Sequence, residues 1–284
     1  MDLSIIIVNW NTKELLRDCL HSVFEQTCGL NFEVLVVDNG SSDGSQDMVH
    51  KEFPDVTLIK SSENLGFAKA NNLGLKIAKG DHLLLLNSDT VIQENAFGNM
   101  VDFLKREARA GIVGPILLNQ DNTRQLSAGH FYSLFYTFLS LFLPEKYLRY
   151  SYRNTRQVDW VSGACFLFKR EILEKVGELD DKFFMYVEEM EYCYRTRKAG
   201  FHTYFFSKAK VYHLTRGSSV TGKKAAVLGI YRGLLYFYTK HFAPWQTNVL
   251  KFLLRLKAAL AWLIGKMTNN DYLKETYEEA FRLV

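Results

Sequence analysis

Asp38, Asp89, the cluster Glu188, Glu189 and Glu191, and His213 each sit where an apolar run ends or a helical one begins. Asp38 closes the run Phe32–Val37 and opens Asn39-Gly40-Ser41-Ser42-Asp43-Gly44-Ser45. A carboxylate there can accept the N3–H of uracil or thymine; it can equally form an Asx turn. Asp89 follows Leu83–Leu86, Asn87 and Ser88, so a hydrophobic strand delivers it to solvent. A hard oxygen ligand in that place suits Mg²⁺ or Mn²⁺ shared with phosphates, or it caps the next helix. The three glutamates follow the bulky Phe183-Phe184-Met185-Tyr186 at a helix start. One reading is a general base, kept ionised by the helix dipole beside a water-excluding wall. The other is dipole compensation with a Glu191–Arg195 pair at i,i+4. His213 ends a strand after Val211-Tyr212, where an imidazole could complete a metal site.

These positions require strands that deliver them to one edge. Apolar runs at Leu3–Val8, Phe32–Val37, Val56–Lys60, His82–Leu86, Ile112–Leu118 and Gly163–Phe168 read as strands. Helical patterns intervene: Leu15, Leu16, Cys19, Leu20 and Val23 after an N-cap at Thr12, a helix from Glu63–Asn72 to near Gly80, and Asn95–Ala108. A helix around Glu171–Val176 and another through Arg197 follow, then short strands at Thr203–Phe206 and Lys210–His213. Alternation at this spacing predicts βαβ units and a mainly parallel sheet, whose ligands sit at the carboxyl ends of the strands.

Composition narrows the class. The 284 residues are 48% hydrophobic and 23% charged, which is globular. The opening Met1-Asp2-Leu3 runs straight into a strand pattern, unlike a signal peptide. Four cysteines without Cys-x-x-Cys spacing argue against a zinc or disulfide framework and for a reduced, cytoplasmic setting. Between Lys223 and Asn270 there are eight Lys or Arg and no acid, leaving the remainder 27 bases against 31 acids. In that basic stretch Val249, Phe252, Leu253, Leu256, Ala259, Leu260 and Leu263 recur at helical spacing, with Trp245 and Trp262 near the ends. Such a helix suits a membrane surface better than nucleic acid, or it packs on its own core. Phe131–Leu143, with Lys146, Arg149, Arg153 and Arg156 downstream, reads as lid, membrane contact or core.

Ser4–Asn11, Val36–Ser45, Glu63–Ala68 with Asn71-Asn72, Leu86–Asp89, Gly163-Ala164, Phe183–Glu191 and Val211–His213 occur in the order found in family 2 glycosyltransferases. The chain resembles that family, most closely its rhamnosyltransferase-like branch, over about residues 3–220. The resemblance implies a GT-A type α/β fold for residues 1–222, with a nucleotide-binding half (1–118), an acceptor and catalytic half (119–222) and a basic helical tail (223–284). It implies that Asn9, Asn11, Asp38, Lys69, Asn87 and Ser88 bind the nucleotide. Asp89 matches the last carboxylate of the family's Asp-x-Asp metal motif, whose first member is Asn87 here, and His213 matches a downstream metal-binding histidine. Mg²⁺ or Mn²⁺ is the implied cofactor. The family's Glu-Asp pair reads Glu188-Glu189, making Glu189 the base, with Glu188 and Glu191 as second acids.

The implied reaction is an inverting, metal-dependent transfer from a dTDP- or UDP-linked sugar, rhamnose at the subfamily level. Its acceptor is a glycan or lipid-linked molecule in cell-surface polysaccharide synthesis, at the inner face of the cell membrane. Two alternatives stand beside it. A degenerate, non-catalytic GT-A binding module is consistent with Glu189 and Asn87. A sugar-nucleotide pyrophosphorylase would need a Gly-rich basic loop after the first strand, where Asn9-Trp10-Asn11-Thr12 stands.

Overall fold

The computed structural model describes residues 1–143, 147–214 and 222–284; Lys146 lies outside them. The first half alternates as expected: β1 (Leu3–Asn9), α1 (Lys13–Gln26), β2 (Phe32–Asp38), α2 (Ser45–Glu52), β3 (Thr57–Lys60), α3 (Phe67–Leu75) and β4 (His82–Asn87). Then come β5 (Thr90–Ile92), α4 (Ala96–Arg106), β6 (Ala110–Leu118), β7 (Ala128–Gly129), α5 (Leu134–Phe142), β8 (Arg149–Tyr150), β9 (Arg156–Val158) and β10 (Trp160–Val161). The second half continues with β11 (Cys165–Lys169), α6 (Arg170–Val176), α7 (Glu188–Lys198) and β12 (His202–His213). Three helices close the chain: α8 (Gly222–His241), α9 (Pro244–Met267) and α10 (Asp271–Leu283).

The main sheet runs β3-β2-β1-β4-β11-β6-β12-β5, with β9 also paired to β12. Strands β1 to β4 are parallel, as the alternation predicts. Beyond them the sheet is mixed, because β11 inserts antiparallel between β4 and β6. A hydrophobic run fixes that a strand is buried, not which way it runs. The short strands foreseen at Thr203–Phe206 and Lys210–His213 are one strand, β12, with an irregularity between Phe206 and Lys210. Its parallel pairing with β6 and antiparallel pairing with β5 carry His213 beside Thr90.

Side chains alternate across the sheet and divide the core into two layers. Leu3, Ile5 and Ile7 of β1 join Leu16, Leu20, Phe97 and Met100 of α1 and α4. Ile6 faces the opposite layer, with residues of α3, α7, α8 and α9. Thus α8 is no loose appendage: Leu228, Tyr231, Leu234, Phe237 and Tyr238 are buried in the core.

Charge fastens the same helix. Glu191, fully buried, accepts from Arg195 at 2.9 Å and from Lys240 at 2.8 Å, with His241 Nε2 at 2.9 Å. Lys240 also reaches Asp180 at 2.6 Å, and Tyr236 donates to the same carboxylate at 2.8 Å. Arg195 in turn donates to the carbonyls of Val176 and Glu178. One carboxylate therefore ties α8 to α7 and to the turn after α6.

The face of α9 that meets the core is Leu250, Leu253, Leu254 and Ala258. Most of the stripe marked in sequence stays outside: Val249, Phe252, Leu256, Leu260 and Leu263 are exposed, as are Trp245, Ile264 and Met267. The core needs only part of the helix's apolar circumference, so both sequence readings of this helix find residues. Helix α5 packs beside α9, with Thr137 buried against Tyr238 and Phe135, Phe138 and Phe142 exposed. Among the described residues, no helix is long and apolar enough to cross a membrane.

Removing one partner of a buried ion pair leaves the others desolvated and unanswered, at about 3–5 kcal/mol. Glu191→Ala is expected to lose that much stability in urea denaturation. A loss below about 1 kcal/mol would show that the cluster does not hold α8.

Candidate active site

Parallel pairing aligns the carboxyl ends of β1, β2 and β4: Asn9 lies opposite Asp38, and Val8 opposite Asn87. From this rim opens a cavity of about 420 Å³. One side is Asn87, Ser88, Asp89 and His213; another is Phe184–Tyr186 with Glu188 and Glu189; Trp10, Thr12 and Asn39 border the β1–β2 side. Asp89 and Glu189 thus share one hollow, with Asp38 just beneath its edge.

Beneath the rim runs a polar network. Asn9 donates to Asp38 at 3.0 Å and to Ser41 at 3.1 Å, while Thr12 donates to Asn9 Oδ1 at 2.7 Å. The Thr12 and Ser88 hydroxyls lie 2.8 Å apart, joining β1 to the end of β4. Thr12 precedes α1 as expected, but its hydroxyl serves this network; the first helical N–H, of Lys13, is met by Asp43 at 2.8 Å. Asp38 also accepts from the Ser41 backbone and Gln46, at 3.0 and 2.7 Å.

Asp38 and Asn9 are almost fully buried and stand behind the cavity wall. Asn11, at φ 54°, accepts from the Ser42 backbone and orients the β2 turn. None of these three lines the cavity among the described residues, and Lys69 is exposed on α3 away from it. Glu191 is likewise placed elsewhere, consumed by the α7–α8 ion cluster. The Arg195 partner at i,i+4 follows from helical spacing as expected, whereas Lys240 and His241 lie about fifty residues on and had no local sign.

His213 is oriented through its far side. Gln125 gives its amide N–H groups to the Asn119 side chain and the His213 carbonyl, at 2.8 and 2.7 Å. Its oxygen therefore faces His213 Nδ1 at 2.9 Å, which fixes the proton there. The His213 Nε2 lies 3.4 Å from Asp89 Oδ1 and 3.3 Å from the Asn87 amide nitrogen. A carboxylate oxygen and an imidazole nitrogen so close suit a shared cation. No group of three or more His, Cys, Asp or Glu gathers among the described residues. Two protein ligands fit a Mg²⁺- or Mn²⁺-type site that leaves its other positions to water and phosphate. Gln125 had no sequence signal, lying in a polar loop 88 residues from His213.

Across the cavity, burial and then the neighbouring Glu189 charge push the Glu188 carboxyl well above the usual range. Its Oε2 is buried without a hydrogen-bond partner among the described residues. The backbone bends sharply here: Tyr186 and Val187 have φ of 74° and 75°. Gly66 lets the bend approach, since a Cβ there would lie 2.2 Å from the Phe184 carbonyl, which accepts from Phe67 N–H.

A raised carboxyl value means Glu188 lends its full stability only below its ordinary 4.5, losing it as pH rises through the folded value. Glu188→Gln removes that slope, so its Tm should gain on wild type from pH 5 to pH 8, by about 2–4 °C. Parallel Tm curves across that range would show that Glu188 ionises normally.

The model for Glycosyl transferase family 2 matches residues 4–177. The N-acetylglucosaminyl-diphospho-decaprenol L-rhamnosyltransferase of Mycobacterium tuberculosis is 27% identical over 248 residues, covering 80% of this chain and 81% of its own. The low-salt glycan biosynthesis hexosyltransferase Agl10 of Haloferax volcanii is 28% identical over 203 residues, 69% of this chain and 62% of its own. The fold is shared with the mannosyltransferase PcManGT of Pyrobaculum calidifontis, solved with GDP-Man and Mn²⁺. That match has a TM-score of 0.59 at 18% identity, over 99% of this chain and 84% of that one. GalNAc-T7, solved with UDP, GalNAc and Mn²⁺, gives 0.60 at 18% identity, over 84% of this chain and 51% of that one. The chain therefore belongs to glycosyltransferase family 2, in its rhamnosyltransferase-like branch, and carries the GT-A fold.

Proposed function

We propose that this glycosyltransferase moves a sugar from a nucleoside diphosphate to a hydroxyl of a glycan or lipid-linked acceptor, by a single inverting displacement. The observation that carries the reading is one cavity with Asp89 and His213 on one wall and Glu189 on another. Glu189 takes the proton of the acceptor hydroxyl as its oxygen bonds to the anomeric carbon. The bond from that carbon to the diphosphate breaks on the opposite face, and the nucleoside diphosphate leaves with the electron pair. Asp89 and His213 would hold the divalent cation, which supplies charge neutralisation for the diphosphate. Burial and the Glu189 charge raise the Glu188 carboxyl, which favours Glu189 as the member of the pair that takes the proton. Asn9 and Asp38 act from beneath: Asn9 holds Thr12, which borders the cavity, and both hold Ser41 behind it. Rhamnose as the transferred sugar is supported by the name of the mycobacterial relative; a dTDP- or UDP-linked donor is what the family resemblance implies.

The same reading places the enzyme on the cytoplasmic face of the cell membrane. Phe252, Leu256, Leu260, Leu263 and Ile264 of α9 are exposed beside Lys251 and Arg255, a pairing that suits an anionic lipid surface. Phe135, Phe138 and Phe142 of neighbouring α5 add to the exposed apolar area.

Glu189→Gln is expected to lower kcat about 10²–10⁴-fold while donor binding by calorimetry stays unchanged. Equal release of nucleoside diphosphate by both proteins would remove Glu189 as the base. Asp89→Ala, or chelation of divalent metal from wild type, should weaken donor binding at least tenfold; undiminished binding in both would exclude the proposed metal site. On vesicles containing phosphatidylglycerol, Phe252→Ser/Leu260→Ser/Ile264→Ser should float at least tenfold less than wild type. Equal flotation would end the membrane assignment.

A further inference from the structure

The run Phe183-Phe184-Met185-Tyr186 holds two adjacent phenylalanines with opposite surroundings. Phe183 is 3% exposed, its ring edge to face with that of Tyr236 at 4.9 Å. Phe184 is 55% exposed and lines the active cavity. The bend fixes this outward ring. It rests against Gly66, where a Cβ would stand 2.7 Å from Phe184 Cδ2, and the Phe184 carbonyl accepts from the Phe67 N–H at 2.7 Å. Phe67 lines the cavity too, so two aromatic residues tied backbone to backbone border one hollow.

The lining beside them is bare. Gly163 borders the same cavity, and a Cβ there would lie 3.3 Å from Phe67 Cζ and 3.7 Å from Glu189 Cβ. The missing side chain leaves open the step from the Phe67 ring to Glu189. Met185, with Ala226 and Ile230 of α8, extends the apolar lining on the same side as the bend. Among the described residues no Lys or Arg borders this cavity. A neutral molecule lying against these residues is therefore held through its faces, not through charge.

We propose that Phe184, supported by Phe67, is a specificity-determining residue: its ring is a shelf on which a pyranose stacks by its C–H face. The assignment rests on the transferase reading above and deepens it, naming the feature of the accepting sugar that is read. A pyranose carries hydroxyls around its rim and C–H bonds on its faces. The negative face of an aromatic ring attracts those C–H groups and leaves the rim hydroxyls free, one of them for Glu189. An axial hydroxyl on the stacked face breaks the contact, so the shelf favours rings with an unbroken C–H face. An open-chain polyol, which has no such face, gains nothing from it. The glycines around the bend hold the Phe184 ring in place before a sugar arrives, so little ordering is lost on binding.

Saturation-transfer difference NMR on the full chain, with UDP and Mn²⁺ present, reads the contact directly. The probes are the methyl β-glycosides of glucose, N-acetylglucosamine, galactose and mannose, with sorbitol as the open-chain control. On irradiation of the aromatic protons, at least one glycoside should take saturation mainly at the C–H protons of a single face, and sorbitol should take none. Phe184→Ala and Phe184→Leu should each weaken that glycoside at least about threefold, and Phe184→Trp should keep it. Melting temperatures within about 2 °C of wild type report that the variants fold. Absence of saturation in all four glycosides would overturn the shelf, as would wild-type affinity in Phe184→Ala or Phe184→Leu. Should the face-selective contact be lost in Phe184→Ala while wild type releases no nucleoside diphosphate from any sugar donor, the shelf stands and the transferase reading falls. Turnover without that contact gives the reverse.

Discussion

The active site depends on a backbone bend that the chain would not adopt alone. Tyr186 and Val187 both hold positive φ, and for a β-branched residue that conformation is rare, costing about 1–3 kcal/mol. Contacts from two sides impose it. On one side Gly66 closes against the Phe184 carbonyl; on the other Gly229 and Gly233 of α8 close against Tyr186 and Val187. None of these glycines tolerates a side chain without displacing the bend. The conformation delivers Glu188 and Glu189 at the first turn of α7, facing the ends of β1 and β4.

That arrangement gives α8 a purpose that charge patterning alone would miss. The basic run Lys223–Asn270 invites reading as a surface element, and the exposed face of α9 keeps that character. Helix α8 instead buries five large side chains, contributes Ala226 and Ile230 to the active cavity, and clamps the bend. Its anchorage is electrostatic as well as apolar: Lys240 spans Asp180 and Glu191, bracketing the segment that contains the bend. The boundary between a catalytic domain and a helical tail at residue 222 divides the chain in sequence, but the packed core runs across it.

What the sequence disclosed follows the range of each interaction. Period-two burial and turn chemistry are local, so β1 through β4 with α1 and α3 were legible, as was the rim where Asn9, Asp38, Asn87 and Asp89 stand. Strand direction and register are not local. The antiparallel entry of β11, the brief β5 and the continuity of β12 through its irregularity depend on partners far along the chain. Glu191 shows the same limit at one residue: its i,i+4 pair with Arg195 was legible on the helix, but the partners on α8 that complete its ion cluster were not. Gln125 shows the converse, a loop residue with no local signature that sets the tautomer of His213.

The charge of the cavity constrains what can enter it. Asp89, Glu188 and Glu189 line it, and no Lys or Arg does among the described residues. A diphosphate brought to such a wall meets like charge in a partly desolvated space, where repulsion is strong. Two features reduce it. Glu188 holds its proton because burial and Glu189 raise its carboxyl, removing one negative charge. Asp89 Oδ1 and His213 Nε2, 3.4 Å apart, would hold the divalent cation that neutralises the diphosphate in the proposed reaction. Glu189 stands beside the Phe184–Tyr186 segment, on the wall away from Asp89 and His213.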